Sequence, residues 1–383
     1  RVMQCLRPLS FPISTLLAAI LACAAPSGAW AQAAGTPIKV TLVASADEEG
    51  PNGLGDEVQI MTQAVIDEYN DTQTGGPSIE LQVLDSKGVS EAKLSQEAAG
   101  SLAIISCVGT KACDMQAKVA KSIGVPLLGP MTGDMALRDN AWTGTVLPVR
   151  PSNQNSLQGA LRALSTMRVK KLGVLVQADS YGKDLDEVLT TLKLPDGLAI
   201  AAKETINKST NFAQVTQRLQ AAGVTAVLLL SDDVATANVL VGYWNSRRKT
   251  AAAYTPTMMH LDGLALPEYA EKATGYPGGS MFVTIVPSPW GGRRQVQRDY
   301  QQLAQSRGIY RASYGSLEAF LNAKVLVQAV RNGKATSASK LTQYIHNTPI
   351  NLGGLTLRYM GGKNDSTGFL DQAVLGVDGA FRH

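Results

Sequence analysis

Short apolar runs alternate with stretches of helical period along most of the chain. IKVTLVA (Ile38 to Ala44) precedes a segment from about Gly55 to Tyr69 in which Val58, Met61, Val65 and Tyr69 form one apolar stripe. Asp56, Glu57, Asp67 and Glu68 fall largely off that stripe, so the spacing predicts an amphipathic helix laid on a sheet. IELQVLD (Ile79 to Asp85), a helix near Ser90 and LAIISCV (Leu102 to Val108) continue the alternation. Strands this uniformly apolar predict parallel pairing with both faces covered.

GTVLPVR (Gly144 to Arg150) closes this first series, and after Pro151 the pattern restarts. A helix around Leu157, Leu161 and Leu164 leads to KLGVLVQ (Lys171 to Gln177). Leu185, Val188, Leu189 and Leu192 then mark one helix, and Phe212, Val215 and Leu219 another, before AVLLLS (Ala226 to Ser231). This is a second α/β lobe with the architecture of the first. A β-rich run, GGSMFVTIVPSPW (Gly278 to Trp290), precedes long helices at about Arg294 to Ser306 and Ser316 to Arg331, and the chain turns again at NLGGLTLRY (Asn351 to Tyr359). A chain that passes between two lobes more than once offers a cleft for a ligand.

The first residues change the setting. Arg1 and Arg7 precede FPISTLLAAILACAA (Phe11 to Ala25), and a small-x-small site follows at Ala29-Trp30-Ala31. The run is too short for a membrane span and predicts a signal peptide over residues 1–31, with a periplasmic destination. The alternative is a lipid anchor at Cys23, where Ile20-Leu21-Ala22-Cys23 loosely resembles a lipobox that Leu21 fits poorly. Cleavage after Ala31 leaves 352 residues, enough for two lobes with their own cores, and takes the formal charge from +4 to +2.

That near-neutral balance, without any block of lysine and arginine, argues against nucleic acid and anionic membranes as partners. Beyond the signal segment the cysteines are Cys107 and Cys113, in CVGTKAC, and an oxidising compartment lets them pair across a small loop. The other reading is two separate thiols, one in a strand and one on the next helix. His260, His346 and His383 are scattered, without metal-ligand spacing to a cysteine, so no metal site is expected. Enzyme readings lack parts. Gly50, Gly53 and Gly55 miss the dinucleotide spacing, G-x-S-x-G and H-E-x-x-H are absent, and the GGK at Gly361 to Lys363 is no phosphate loop.

Several segments, in their order and spacing, resemble one family. They are GPNGLGDEVQIMTQAVIDEYN, VPLLGPMTGDMALR, VRPSNQN, DSYGKD, VTIVPSPW, YGSLEAFLNAKVLVQAVRNGK, and NLGGLTLRY through GVDGAFRH. Together they look like the type 1 periplasmic solute-binding proteins of ABC importers, in the branched-chain amino-acid receptor group. The resemblance implies two Rossmann-like lobes with parallel sheets, joined by three crossing hinge strands near Leu147 to Ser152, Thr284 to Pro289 and Leu352 to Leu357. The N-terminal lobe is then residues 36–150 plus 287–352, and the C-terminal lobe 151–286 plus 353–383. It further implies a monomer without cofactor that closes on a small solute and presents it to the membrane subunits of an ABC permease.

The family's ligand positions fall on residues whose chemistry suits an amino acid. Backbone N–H groups and hydroxyls ahead of helices hold a carboxylate, because a helix start carries unpaired donors and partial positive charge. The matching loops are Cys107, Gly109 and Thr110, and Met131, Thr132 and Gly133, the second just before a predicted helix. From the other lobe, Tyr181 matches a cleft tyrosine, and Asp262 the carboxylate that meets the ligand ammonium. Simple helix capping by Ser, Thr and Gly is the competing account of the two loops. Ser231-Asp232-Asp233 stands where branched-chain receptors carry an aromatic residue. Asp232 in the cleft would favour a more polar or cationic ligand, whereas Asp232 or Asp233 as a cap of the next helix would leave specificity unaffected.

Overall fold

β1 (Ile38–Ala44) runs in parallel register with β2 (Ile79–Asp85), Ile38 opposite Ile79 and Ala44 opposite Asp85. The computed structural model describes residues 36–44, 54–231, 239, 242–243, 254–261, 280–310, 312–359, 364–366, 368–376, 378 and 380–383. The expected signal segment, with Cys23, lies outside them.

The first sheet has the order β2-β1-β3-β4-β5, with β3 (Ile104–Ile105), β4 (Leu127–Leu128) and β5 (Val146–Leu147) all parallel. α1 (Leu54–Thr72) buries Val58, Met61, Val65 and Tyr69, the stripe read from the sequence, each worth roughly 1.5–3 kcal/mol of burial. Asp56 and Glu57 occupy its first turn, where negative charge complements the helix dipole. α2 (Glu91–Ala98), capped by Ser90, and α3 (Thr110–Ile123) complete this series.

The expected strand Leu102 to Val108 is shortened to its centre. The Ser106 N–H makes the last rung to β4, donating to the Leu128 carbonyl at 2.9 Å, and its left-handed φ of 55° then turns the chain out of the strand.

The second sheet runs β14-β13-β10-β9-β8-β6-β7. Its five parallel strands are β6 (Lys171–Gln177), β7 (Ala199–Ile206), β8 (Ala226–Leu230), β9 (Thr257–Leu261) and β10 (Ser280–Thr284). Wholly parallel sheets were expected, but β13 (Asp371–Leu375) pairs antiparallel with β10, and β14 (Phe381–Arg382) antiparallel with β13. The turn between β13 and β14 is too short for a crossover helix, so this pair can only fold back as a hairpin. α4 (Asn153–Thr166), α5 (Ser180–Thr191) and α6 (Phe212–Ala221) accompany this sheet.

Three passages link the two sheets. The chain leaves β5 through residues 148–152 into α4, which packs on β9 and β10. It returns from β10 through residues 285–294 to α7 (Gln295–Ser306) and α8 (Tyr314–Gly333), both packed on α1, with α9 (Ala338–Asn347) against α8. It crosses finally from the hairpin of β11 (Ile350–Asn351) and β12 (Thr356–Leu357) to β13. The Gly353 carbonyl accepts the Val296 N–H at 2.9 Å, so the hairpin tip seats on the start of α7. A Cβ at Gly353, whose φ is +81°, would stand 2.7 Å from the Val296 nitrogen. These are two Rossmann-like lobes joined by three crossings.

His260 lies on β9 stacked on Phe282, ring centroids 4.7 Å apart and ring planes nearly parallel. Burial lowers its pKa from 6.5 to about 3. The unfolded chain therefore binds a proton below pH 6.5 that the folded chain refuses, and stability must fall as pH drops from 6.5 toward 3. Relative to His260→Phe, the wild type is expected to lose an extra ~1.4 kcal/mol per pH unit across that window. Urea midpoints of the two proteins between pH 6 and 4 check this, and parallel pH profiles would refute it.

Candidate functional site

Strand order reverses between β1 and β3 in the first sheet and between β6 and β8 in the second. The carboxyl ends of parallel strands leave a crevice at such a reversal, because the connections on its two sides depart to opposite faces. The loop after β3 is therefore at the first switch point, and the segments after β6 and β8 are at the second.

After β3, Gly109 has a φ of 83° and serves as the cap of α3 without any side-chain hydrogen bond. The first-turn N–H groups thus meet no capping side chain, and that turn holds Lys111 and no acid, which leaves it positive. Thr110 is half-buried there, its hydroxyl 2.9 Å from that of Thr132 on the neighbouring loop. The two loops are also joined along the backbone, where Val108 bridges Met131 in parallel and the Met131 N–H donates to the Cys107 carbonyl at 2.8 Å. Cys107 and Cys113 form a disulfide, fully buried, that ties the end of β3 to the first turn of α3.

The second loop departs from expectation. The segment after Gly133 is a single 3-10 turn, Met135–Arg138, capped by the Asp134 carboxylate, which accepts the Ala136 N–H at 3.0 Å. A turn so short has no dipole to offer an anion, so Thr132 contributes a hydroxyl rather than a helix start. Gly133 is required for packing. Its carbonyl accepts the Asn153 N–H at 2.6 Å, and a Cβ would lie 2.2 Å from the Asn153 Oδ1.

Three buried polar side chains that the sequence reading did not single out hold these loops. Asn322 of α8 donates to the Ser106 hydroxyl at 3.1 Å and to the Gly129 carbonyl at 2.9 Å, gripping both site loops from behind. Arg138 donates to the carbonyls of Thr132 and Arg150 at 3.2 and 3.3 Å, with Asp365 3.8 Å away. Burial lowers the pKa of its guanidinium and Asp365 opposes that shift. The second loop is in this way fastened to the first crossing. Asp134 is the third, at the base of the turn.

On the other side, Tyr181, expected as a cleft tyrosine, lies in the first turn of α5, a helix capped by Asp179, and is half-buried against the second core. Asp184 follows one turn later. Burial raises its pKa first, and the charge of Asp134, from the other sheet's loop, raises it further. Asp232 and Asp262 lie outside the described residues. Their strands end next to the second switch point, β8 at Leu230 and β9 at Leu261. Among the described residues no His, Cys, Asp or Glu group has metal-binding geometry, and no helix is long and apolar enough to cross a membrane.

A family model described as periplasmic binding protein matches residues 37–374. Among solved structures, an extracellular ligand-binding receptor from Verminephrobacter eiseniae superposes with a TM-score of 0.76, at 17% identity over 91% of this chain and 100% of that one. A substrate-binding periplasmic protein from Ralstonia solanacearum gives 0.72 at 21% identity, covering 90% and 99%. An ABC transporter substrate-binding protein from Desulfitobacterium hafniense, in complex with Leu, gives 0.71 at 14%, covering 90% and 99%. At such identities the likeness is one of fold, and a comparison with curated proteins gives no match. With the family match covering the first sheet, nearly all of the second and all three crossings, the chain belongs to the periplasmic binding protein family, whose members are solute-binding receptors and not enzymes.

Proposed function

We propose that this receptor captures a small amino-acid-like solute between its lobes outside the cytoplasmic membrane and delivers it to an ABC importer. The observation that carries the reading is the Thr110–Thr132 hydroxyl pair beside the uncapped start of α3, at the first switch point. Two hydroxyls and free N–H groups in a positive turn suit a carboxylate, while Tyr181, with Asp262, meets the rest of the ligand from the second lobe. The proposed lobes are residues 36–150 plus 287–352, and 151–286 plus 353–383. The proposed leader ends at Ala31, and the working form is a monomer. The Desulfitobacterium hafniense relative, in complex with Leu, supports an amino acid as the ligand class. Asp232, if it faces the cleft, favours a polar or cationic side chain over an aliphatic one, since a carboxylate rewards a ligand that brings donors.

Delivery requires that loading change the shape the permease meets, which closure of the lobes about the crossings provides. A thermal-shift screen against the amino acids tests the reading, because a ligand bound to the folded form raises the melting temperature. With the hit in hand, Thr132→Val and Asp262→Ala are each expected to weaken binding by about 1 kcal/mol or more in calorimetry. Affinity unchanged in both variants would remove the assignment of these residues. Loss of stimulation of the cognate permease's ATPase by loaded receptor would instead favour a sensory partner for the same cleft.

A further inference from the structure

The three crossings line a half-open cavity of about 240 Å³ that none of the candidate cleft residues lines. Val149 and Arg150 come from the first passage, Ile285 and Val286 from the second, and the β11–β12 hairpin supplies Leu352 and Leu357. Leu321 of α8 forms part of the wall, and Phe369 closes one side. Its polar lining comes from Arg150, Glu318, Arg294 and Thr356. Arg150 is neutralised inside the wall by a bidentate pair with Glu318, at 2.7 and 2.6 Å. Arg294, on the surface at the start of α7, is the other charge in the lining. Its guanidinium is held by the Gly354 carbonyl at 3.1 Å and lies over the Phe369 ring, 5.1 Å from the centroid. One Nη is thereby occupied, while Nε and the other Nη take no partner among the described residues. The lining thus combines buried aliphatic walls, an aromatic ring and one uncompensated, pre-oriented guanidinium.

We propose that this cavity is a second ligand site, distinct from the cleft, that takes a small monocarboxylate with a single-ring aromatic body. The carboxylate pairs with Arg294 at the mouth and the ring lies beside Phe369 among the aliphatic side chains. The volume, below the roughly 300 Å³ at which drug-sized ligand sites begin, admits one ring and excludes a peptide. An occupant touches all three crossings at once.

Phenylacetate is the probe, with phenylacetamide as its uncharged counterpart. Calorimetry is expected to show phenylacetate binding that Arg294→Gln weakens about tenfold or more, whereas phenylacetamide binds more weakly and is indifferent to that change. Arg294 is exposed, so the variant keeps the fold. In crystals soaked with 4-bromophenylacetate, a bromine anomalous peak beside Phe369 is expected, and filling the cavity with Leu321→Trp should abolish it. A peak near Thr110 and Thr132, no binding of phenylacetate, or equal affinity in the Arg294→Gln variant would each overturn the proposal. Failure of the amino-acid reading leaves the hinge peak unaffected, so the two are tested separately.

Discussion

Glu318→Gln is expected to lower folding stability by about 3–5 kcal/mol, a large share of what a chain of this kind has. Glu318 is on α8 and Arg150 on the first crossing, 168 residues apart, with both side chains only 2% exposed. Nε and one Nη of Arg150 each meet a carboxylate oxygen, at 2.7 and 2.6 Å. Removing the carboxylate charge leaves a guanidinium stripped of water and without its counter-ion. Replacing both partners is a different experiment. Arg150→Met with Glu318→Leu removes the desolvation cost along with the attraction and should be near neutral. Urea unfolding with an unchanged m value would measure both, and a single variant costing under about 1 kcal/mol would contradict the account. Because Arg150 belongs to a crossing, the same pair fixes where the first passage sits against α8, in the wall of the cavity between the crossings.

The second large effect concerns the Cys107–Cys113 bridge. Cys107→Ala with Cys113→Ala is expected to cost roughly 2–4 kcal/mol. The cysteines are six residues apart, so the loop-entropy share is at the low end of that range. Loss of packing adds to it, since both side chains are fully buried in the first lobe's core. The consequence reaches the cleft because the bridge pins the loop that carries Gly109 and Thr110. Reduced wild-type protein should therefore resemble the double variant in melting temperature and bind the cleft ligand more weakly. Identical melting of oxidised and reduced protein would show that the bridge carries no stability.

Much of the fold was legible in local pattern. β1, β2 and β6 begin and end where their apolar runs do, and the stripe of Val58, Met61, Val65 and Tyr69 is the buried face of α1. Period and propensity are properties of neighbouring residues, and these elements need nothing more. The reading weakened where distant groups overrule the neighbours. Residues 106–108 look like strand, but the backbone of Ser106 is turned aside, and its hydroxyl accepts from an asparagine 216 positions later. The segment after Gly133 looks like a helix start, yet the carboxylate of Asp134 and the carbonyl contacts of Arg138 hold it to one tight turn. The antiparallel end of the second sheet was likewise hidden, because DQAVL is a short run that buries only Ala373 and Leu375, and its partner β10 lies far back along the chain.

The amino-acid sequence by itself determined the α/β alternation, the two series of strands and the loops that follow them, since these rest on spacing that any short window contains. It also contained the two cysteines close enough to bridge. Only the tertiary structure decided which loops meet at the switch points and that Thr110 and Thr132 share a hydrogen bond. It alone brought Arg150 to Glu318 and formed a cavity between three passages that are far apart along the chain. Such contacts depend on the path of the whole backbone, and no local period records them.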